Sequence, residues 1–215
     1  MLRLCLVILF AGNVELAMVA EPPADRKNPM IEPLQIEACV EDVEDLLSLD
    51  YWTFDQDPER GIRTIWTKPG CELAAADLYR IYHQRLRDKG EPVIVDIEQG
   101  TYTISQTGEL TILYWHEGQI RAGVGQTDQA IDLFEKSLKP EDKNRHAWNE
   151  YARASIAFLE GDRDELLRQR AALAERVEPD DINLGAVDSL IACFGKSYKE
   201  AYGSKSCNRR PGFED

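Results

Sequence analysis

Between Tyr114 and Ser137 the chain places small residues where two packed helices would have to touch. Gly118 stands four residues after Tyr114, Gly125 marks a turn, and Ala130 and Phe134 follow four residues apart. A glycine and an alanine let two helix backbones approach closely, and a phenylalanine on the same side fills the space towards the next pair. A chain with this pattern is built from short helices that stack.

The surrounding residues agree with helix nearly everywhere. From Ile36 to Leu49 the apolar residues Ile36, Cys39, Val40, Val43, Leu46, Leu47 and Leu49 recur at spacings of three and four, with Glu and Asp between them. That is the stripe of an amphipathic helix. Pro58 is suited to open a short helix ending near Trp66, before the break at Pro69 and Gly70. Further helices are expected over 71–87, 108–124, 127–138, 146–159, 163–176 and 182–194, the last leading to Tyr198–Tyr202 and a polar tail. Thr127 and Asp162 are suitable N-caps, and Pro140 and Pro179 follow helix ends. Residues 91–106 differ. Val93–Ile97 and Thr101–Ile104 are rich in β-branched residues around Gln99 and Gly100. They read as a small β-hairpin that must lean on the helical body, with an extended loop as the alternative.

The stretch from Tyr114 to Ser137 resembles one tetratricopeptide repeat. The family's early aromatic falls on Tyr114, its small residue on Gly118 and its turn glycine on Gly125. Ala130, Phe134 and Ser137 take its second-helix positions. Glu117 and Arg121 depart from the pattern, where a leucine and a tyrosine are usual, and the closing proline comes early at Pro140. A weaker copy follows, with Gly161 lying 36 residues after Gly125, near the family's period of about 34. Upstream, Gly70, Ala75 and Tyr79 repeat the offsets of Gly125, Ala130 and Phe134. The separation from Gly70 to Gly125 is 55 residues, and the hairpin accounts for the excess. The resemblance spans 58–177. It implies a mostly α fold of antiparallel helical hairpins, an α-solenoid or helical bundle, with the β-hairpin inserted. The chain is also similar to exported bacterial proteins that carry Tyr-Trp-His-Glu-Gly-Gln and a late Ala-Cys-Phe-Gly.

The N-terminus reads as an export signal over residues 1–20. Arg3 precedes an eight-residue apolar run from Leu4 to Ala11, and Ala20 offers a cleavage point. That run is too short for a membrane span, which takes about 20 residues. Residues 21–35, with Pro22, Pro23, Pro29 and Pro33, are expected to be an extended leader. A single domain over 36–203 and a polar tail over 204–215 complete the division. Cleavage leaves Cys39, Cys71, Cys193 and Cys207. An even number in an exported chain fits two disulfides. Of the three connectivities, Cys39–Cys71 with Cys193–Cys207 closes two short loops, each worth about 3 kcal/mol in the chain-entropy view. A periplasmic or secreted bacterial location follows. The net charge of −14 opposes binding to nucleic acid or anionic lipid.

Motifs for catalysis and metals are incomplete. His116-Glu117 begins like the zinc motif His-Glu-x-x-His, but Ile120 stands where the second histidine belongs, so a helix-surface pair is expected. His83 and His146 read as surface or structural. Asp55-Gln56-Asp57 lacks the later ligands of a calcium loop. No cofactor is implied. Concave faces of tetratricopeptide arrays hold peptides, and here that face would carry Trp115, Gln119, Trp148, Tyr151 and Ser155. The functional expectation is a protein- or peptide-binding or scaffolding module of the cell envelope. An envelope enzyme with a dispersed active site, or a purely structural component, is the alternative.

Overall fold

The computed structural model describes residues 33–97 and 100–212. The expected signal peptide and nearly all of the leader lie outside the described residues, as does Gln99 of the hairpin turn. The described chain is mostly helical, with eleven α-helices and one two-stranded antiparallel sheet. The N-terminal half carries α1 (Pro33–Cys39), α2 (Val43–Ser48), α3 (Tyr51–Gln56), α4 (Arg63–Trp66) and α5 (Glu72–Lys89). The hairpin β1 (Val93–Ile97) and β2 (Gly100–Ser105) comes next. The rest is α6 (Thr111–Gly123), α7 (Thr127–Lys136), α8 (Trp148–Glu160), α9 (Arg163–Ala174), α10 (Ile182–Ala192) and α11 (Tyr198–Gly203).

Local chemistry explains the two departures from the expected helices. The stripe of 36–49 is cut in two because Asp42 turns extended and its carboxylate accepts the Asp45 N–H at 2.9 Å, starting α2 afresh. Pro58 opens no helix. Instead Asp50 caps α3, accepting the Thr53 N–H at 3.1 Å. Asp57 then accepts the N–H groups of Glu59 and Arg60, at 2.8 and 3.1 Å, folding the chain at Pro58. Asp162 caps α9 as expected, whereas Thr127 is already inside α7 and makes no cap.

Two apolar cores share α6. Phe54, Ile62, Leu78, Tyr79 and Tyr82 form the first with Leu113 and Ile120 of α6. Trp115 and Ala122, on its other side, join Phe134, Tyr151, Phe158, Leu166 and Leu190 in the second. Helices α5 to α9 pack each against the next through α5–α6, α6–α7, α7–α8 and α8–α9 contacts. A Cβ added at Gly118 would lie 2.8 Å from two carbons of the Phe134 ring, so α6 and α7 approach as closely as a glycine permits. The hairpin leans on the body through Val93 and Val95, which are buried, while β2 is exposed along most of its length.

The structure pairs Cys39 with Cys71 and Cys193 with Cys207. The tail expected beyond residue 203 is not free over its described part. Cys207 is fully buried, and the Arg209 N–H donates to Ser189 Oγ at 2.7 Å, fastening 204–212 to α10. No helix among the described residues is long and apolar enough to cross a membrane.

His83 joins α5 to the start of α6. Its buried Nε2 accepts the Leu110 N–H at 3.0 Å. Burial first, then the Arg87 charge, pushes its pKa down to about 3. Below an unfolded value of about 6.5 the unfolded chain therefore binds a proton that the folded chain refuses. Stability from this residue is complete above that value and is lost as pH falls towards the folded one. We expect His83→Asn to shrink the stability difference between pH 7 and pH 4 by roughly 2–3 kcal/mol, read by urea unfolding. An identical pH dependence in both proteins would show that His83 is not the responsible group.

Candidate functional site

The five side chains expected on a concave face come from two helices of the second core. Trp115 and Gln119 project from α6, and Trp148, Tyr151 and Ser155 from α8. Trp115, Tyr151 and Ser155 are buried, while Gln119 and Trp148 are half-buried. The Trp115 ring stacks on Phe134 at 4.3 Å and meets Tyr151 at 4.7 Å and Trp148 at 5.1 Å. Part of what covers this face is the chain's own C-terminal helix. Tyr198 of α11 packs 6.1 Å from both Phe134 and Phe158, and the Tyr202 and Tyr151 hydroxyls share a hydrogen bond of 2.9 Å. Arg210 fixes α11 from outside, with its guanidinium 4.7 Å from the Tyr202 ring and Nη2 donating to the Tyr202 carbonyl at 2.7 Å. Spacing within α6 and α8 carries no sign of that return. Gln119 reaches a cleft of about 220 Å³, shared with Trp66, Ile120, Val124, Tyr198 and Tyr202. The Tyr198 hydroxyl is buried beside Gln119 and Ser155, and burial pushes its pKa well up.

Glu117 and Arg121, the two departures from the repeat pattern, form a buried charge network. Arg121 is 1% exposed, and it donates to Glu117 at 2.7 Å and to Asp77 of α5 at 2.8 Å. Its Nη1 reaches Gln126 at 2.8 Å. Burial pushes the Glu117 carboxyl up against the pull of Arg121.

His116 is no surface residue either. Its Nδ1 lies 2.7 Å from Asp55, which is fully buried and also accepts the Tyr79 hydroxyl at 2.8 Å. Burial is the strongest influence on Asp55 and raises its pKa. The His116 hydrogen bond and charge, with bonds from Tyr79 and Gln56, outweigh it and hold the carboxyl below its usual range. Burial keeps the Tyr79 phenol protonated by pushing its pKa well up. The cluster ties α3, α5 and α6 together. Asp55 therefore faces the interior, away from any calcium loop.

The broad open surface lies at the hairpin. Of seven exposed large apolar side chains among the described residues, Trp52, Ile94, Tyr102 and Ile104 sit on the hairpin or on α3, and the other three are scattered. Trp52, Tyr102 and Ile104, each 43–48% exposed, line a groove of about 940 Å³. The α7–α8 connection also lines it, with Lys139, Lys143 and Arg145. No carboxylate pairs with these three cations among the described residues, as is also the case for Lys89, Lys136 and Arg163, whereas Arg85, Arg121, Arg168, Arg170 and Arg176 are paired. Glu109, the acid of the groove, is turned to Arg87 at 3.7 Å.

The backbone of this connection is tied down by polar side chains. Asn149 binds both the N–H and the carbonyl of Lys139 at 2.8 Å. Buried Asn144 accepts the Asn149 N–H at 2.9 Å and donates to Glu150 at 3.0 Å. Arg176 clamps Glu150 at 2.6 Å and the Asn144 carbonyl at 2.9 Å. Against this frame His146 and Ala147 take left-handed φ angles of 51° and 50°, a strain of about 1–3 kcal/mol each that persists only where its surroundings enforce it. The exposed aromatic of α3 was missed in the sequence because α3 itself was missed. The cations were invisible as a group, since unpaired charge is a property of neighbours.

Set against known proteins, the chain matches no family model, no curated protein and no solved structure.

Proposed function

We propose that this chain is an exported protein- or peptide-binding module, built on tetratricopeptide-like helical pairs, that docks a partner in the groove between the hairpin and the α7–α8 connection. The observation that carries the reading is the groove itself. Three large, half-exposed apolar side chains line it together with three cations that make no ion pair among the described residues. Exposed aromatic and aliphatic groups gathered in one place mark an interaction surface, because monomers rarely leave such patches uncovered. The two disulfides and the apolar N-terminal run support export. Trp115, Tyr151 and Ser155 belong to the framework behind the docking face in this reading, and Trp148 connects the two, its ring lying 4.6 Å beneath the Lys139 ammonium.

Affinity capture from a cell-envelope extract tests the proposal. Trp52→Ser with Ile104→Ser is expected to keep the thermal melt of the parent while reducing recovery of its bound protein about ten-fold. Equal recovery by parent and variant would place binding elsewhere or remove it altogether. The Asp55–His116 pair supports no enzyme reading, since its acid and phenol are spent on joining three helices.

A further inference from the structure

At the other end of α6 from the hairpin groove, we infer that the cleft between α6 and α11 binds a small, uncharged aromatic molecule of one or two rings. Four segments meet there. Trp66 ends α4, Glu72 begins α5, Gln119 and Val124 belong to the end of α6, and Tyr198 and Tyr202 come from α11. The opening measures about 220 Å³, and an apolar cavity of about 150 Å³ already takes a benzene ring. Val124 is 37% exposed, and a molecule seated in the cleft would cover it.

Charge and rings together select the class. The cleft is lined by one acid and one base, Glu72 and Lys199, and these pair with each other at 3.4 Å. A charged ligand would have to compete with that pair and bring its own charge onto an apolar surface, whereas an uncharged one leaves the pair intact. Trp66, Tyr198 and Tyr202 favour a ring, since aromatic pairs gain beyond the area they bury. Gln119 is the polar side chain among them, and its amide both donates and accepts, so it suits a ring with one polar group. Gly123 adds a second line of support. It lines the cleft at the last position of α6, and a Cβ there would meet nothing within 4 Å. Its backbone is not left-handed. Neither conformation nor a packed neighbour therefore calls for glycine here, in contrast to Gly118. The missing side chain costs helix propensity and leaves the opening clear.

The test is a titration of the isotope-labelled, folded chain with indole, followed through its amide chemical shifts. Shifts are expected at residues 119–124 and 198–203 and at the Trp66 ring N–H, with a dissociation constant of about 0.1–1 mM, ordinary for a ligand of so few atoms. No shifts, shifts scattered over the surface, or shifts confined to the hairpin groove would overturn the inference. Gly123→Leu places a side chain in the opening and is expected to weaken binding about ten-fold or more. Its thermal melt should stay at or above that of the parent, because leucine is the better helix former. Unchanged indole binding by that variant would place the site elsewhere, and the shift map of the parent decides the location whatever the variant does. Tryptamine and indole-3-acetate, the cationic and anionic counterparts, are expected to bind about three-fold more weakly or worse. Tighter binding of either would overturn the uncharged class, and cyclohexanol binding as tightly as indole would overturn the preference for an aromatic ring.

Discussion

Arg121→Met is expected to lower the free energy of unfolding by about 3–5 kcal/mol, the cost of leaving buried carboxylates without their cation. Asp77 and Glu117 both lie within 2.8 Å of the guanidinium, and all three side chains are at least 95% buried. Methionine fills the volume but leaves two acids in a low-dielectric interior. One of them must take a proton or draw in water. Adding Glu117→Leu should recover part of the loss, because it removes one stranded acid and puts an apolar side chain in the buried position. Urea unfolding followed by circular dichroism at neutral pH reads both steps. A loss under about 1 kcal/mol for Arg121→Met would mean that water already reaches the network.

Gly118→Ala should cost about 2–3 kcal/mol, reversing the sign that helix propensity alone assigns. The added methyl would stand 2.8 Å from two Phe134 ring carbons and 3.2 Å from Leu133 Cβ. Phe134 is fully buried and stacked on Trp115, so the ring has nowhere to retreat. Gly123, at the end of the same helix, supplies the control. A Cβ there meets nothing within 4 Å, and Gly123→Ala should be neutral or stabilising by up to about 1 kcal/mol. Phe134→Leu should cost less in the Gly118→Ala background than in the parent, since the smaller side chain relieves the clash. Strict additivity in that double-mutant cycle would show that the contact does not limit the approach of α6 and α7.

The Gly118–Phe134 contact was legible in the chain because it depends on short spacings within adjacent helices. So were α5 to α10, the hairpin and both disulfide pairings, each of which closes a local loop or repeats a local period. The break at Asp42 was readable in principle. Its carboxylate competes with the helix for backbone donors, but an apolar stripe running through it masks that competition. The inward turn of His116, Glu117 and Arg121 was not readable. Polar residues on a helix look solvent-facing until another helix brings partners to them. Asp77 lies 44 positions from Arg121, and Asp55 lies 61 from His116.

Helices, hairpin and cross-links follow from interactions spanning a few residues or one short loop, and periodicity records such interactions. Burial and pairing do not work that way, because a side chain's surroundings come from segments distant in the chain. Three outcomes in this protein are of that second kind. Tyr198 and Tyr202 fold back over the face formed by α6 and α8. Asp77 meets Arg121 across two helices. Lys139, Lys143 and Arg145 come to line one groove with Trp52 and Ile104, making no ion pair among the described residues. Each depends on the free energy of a whole packed arrangement, to which any single stretch of sequence contributes only a part.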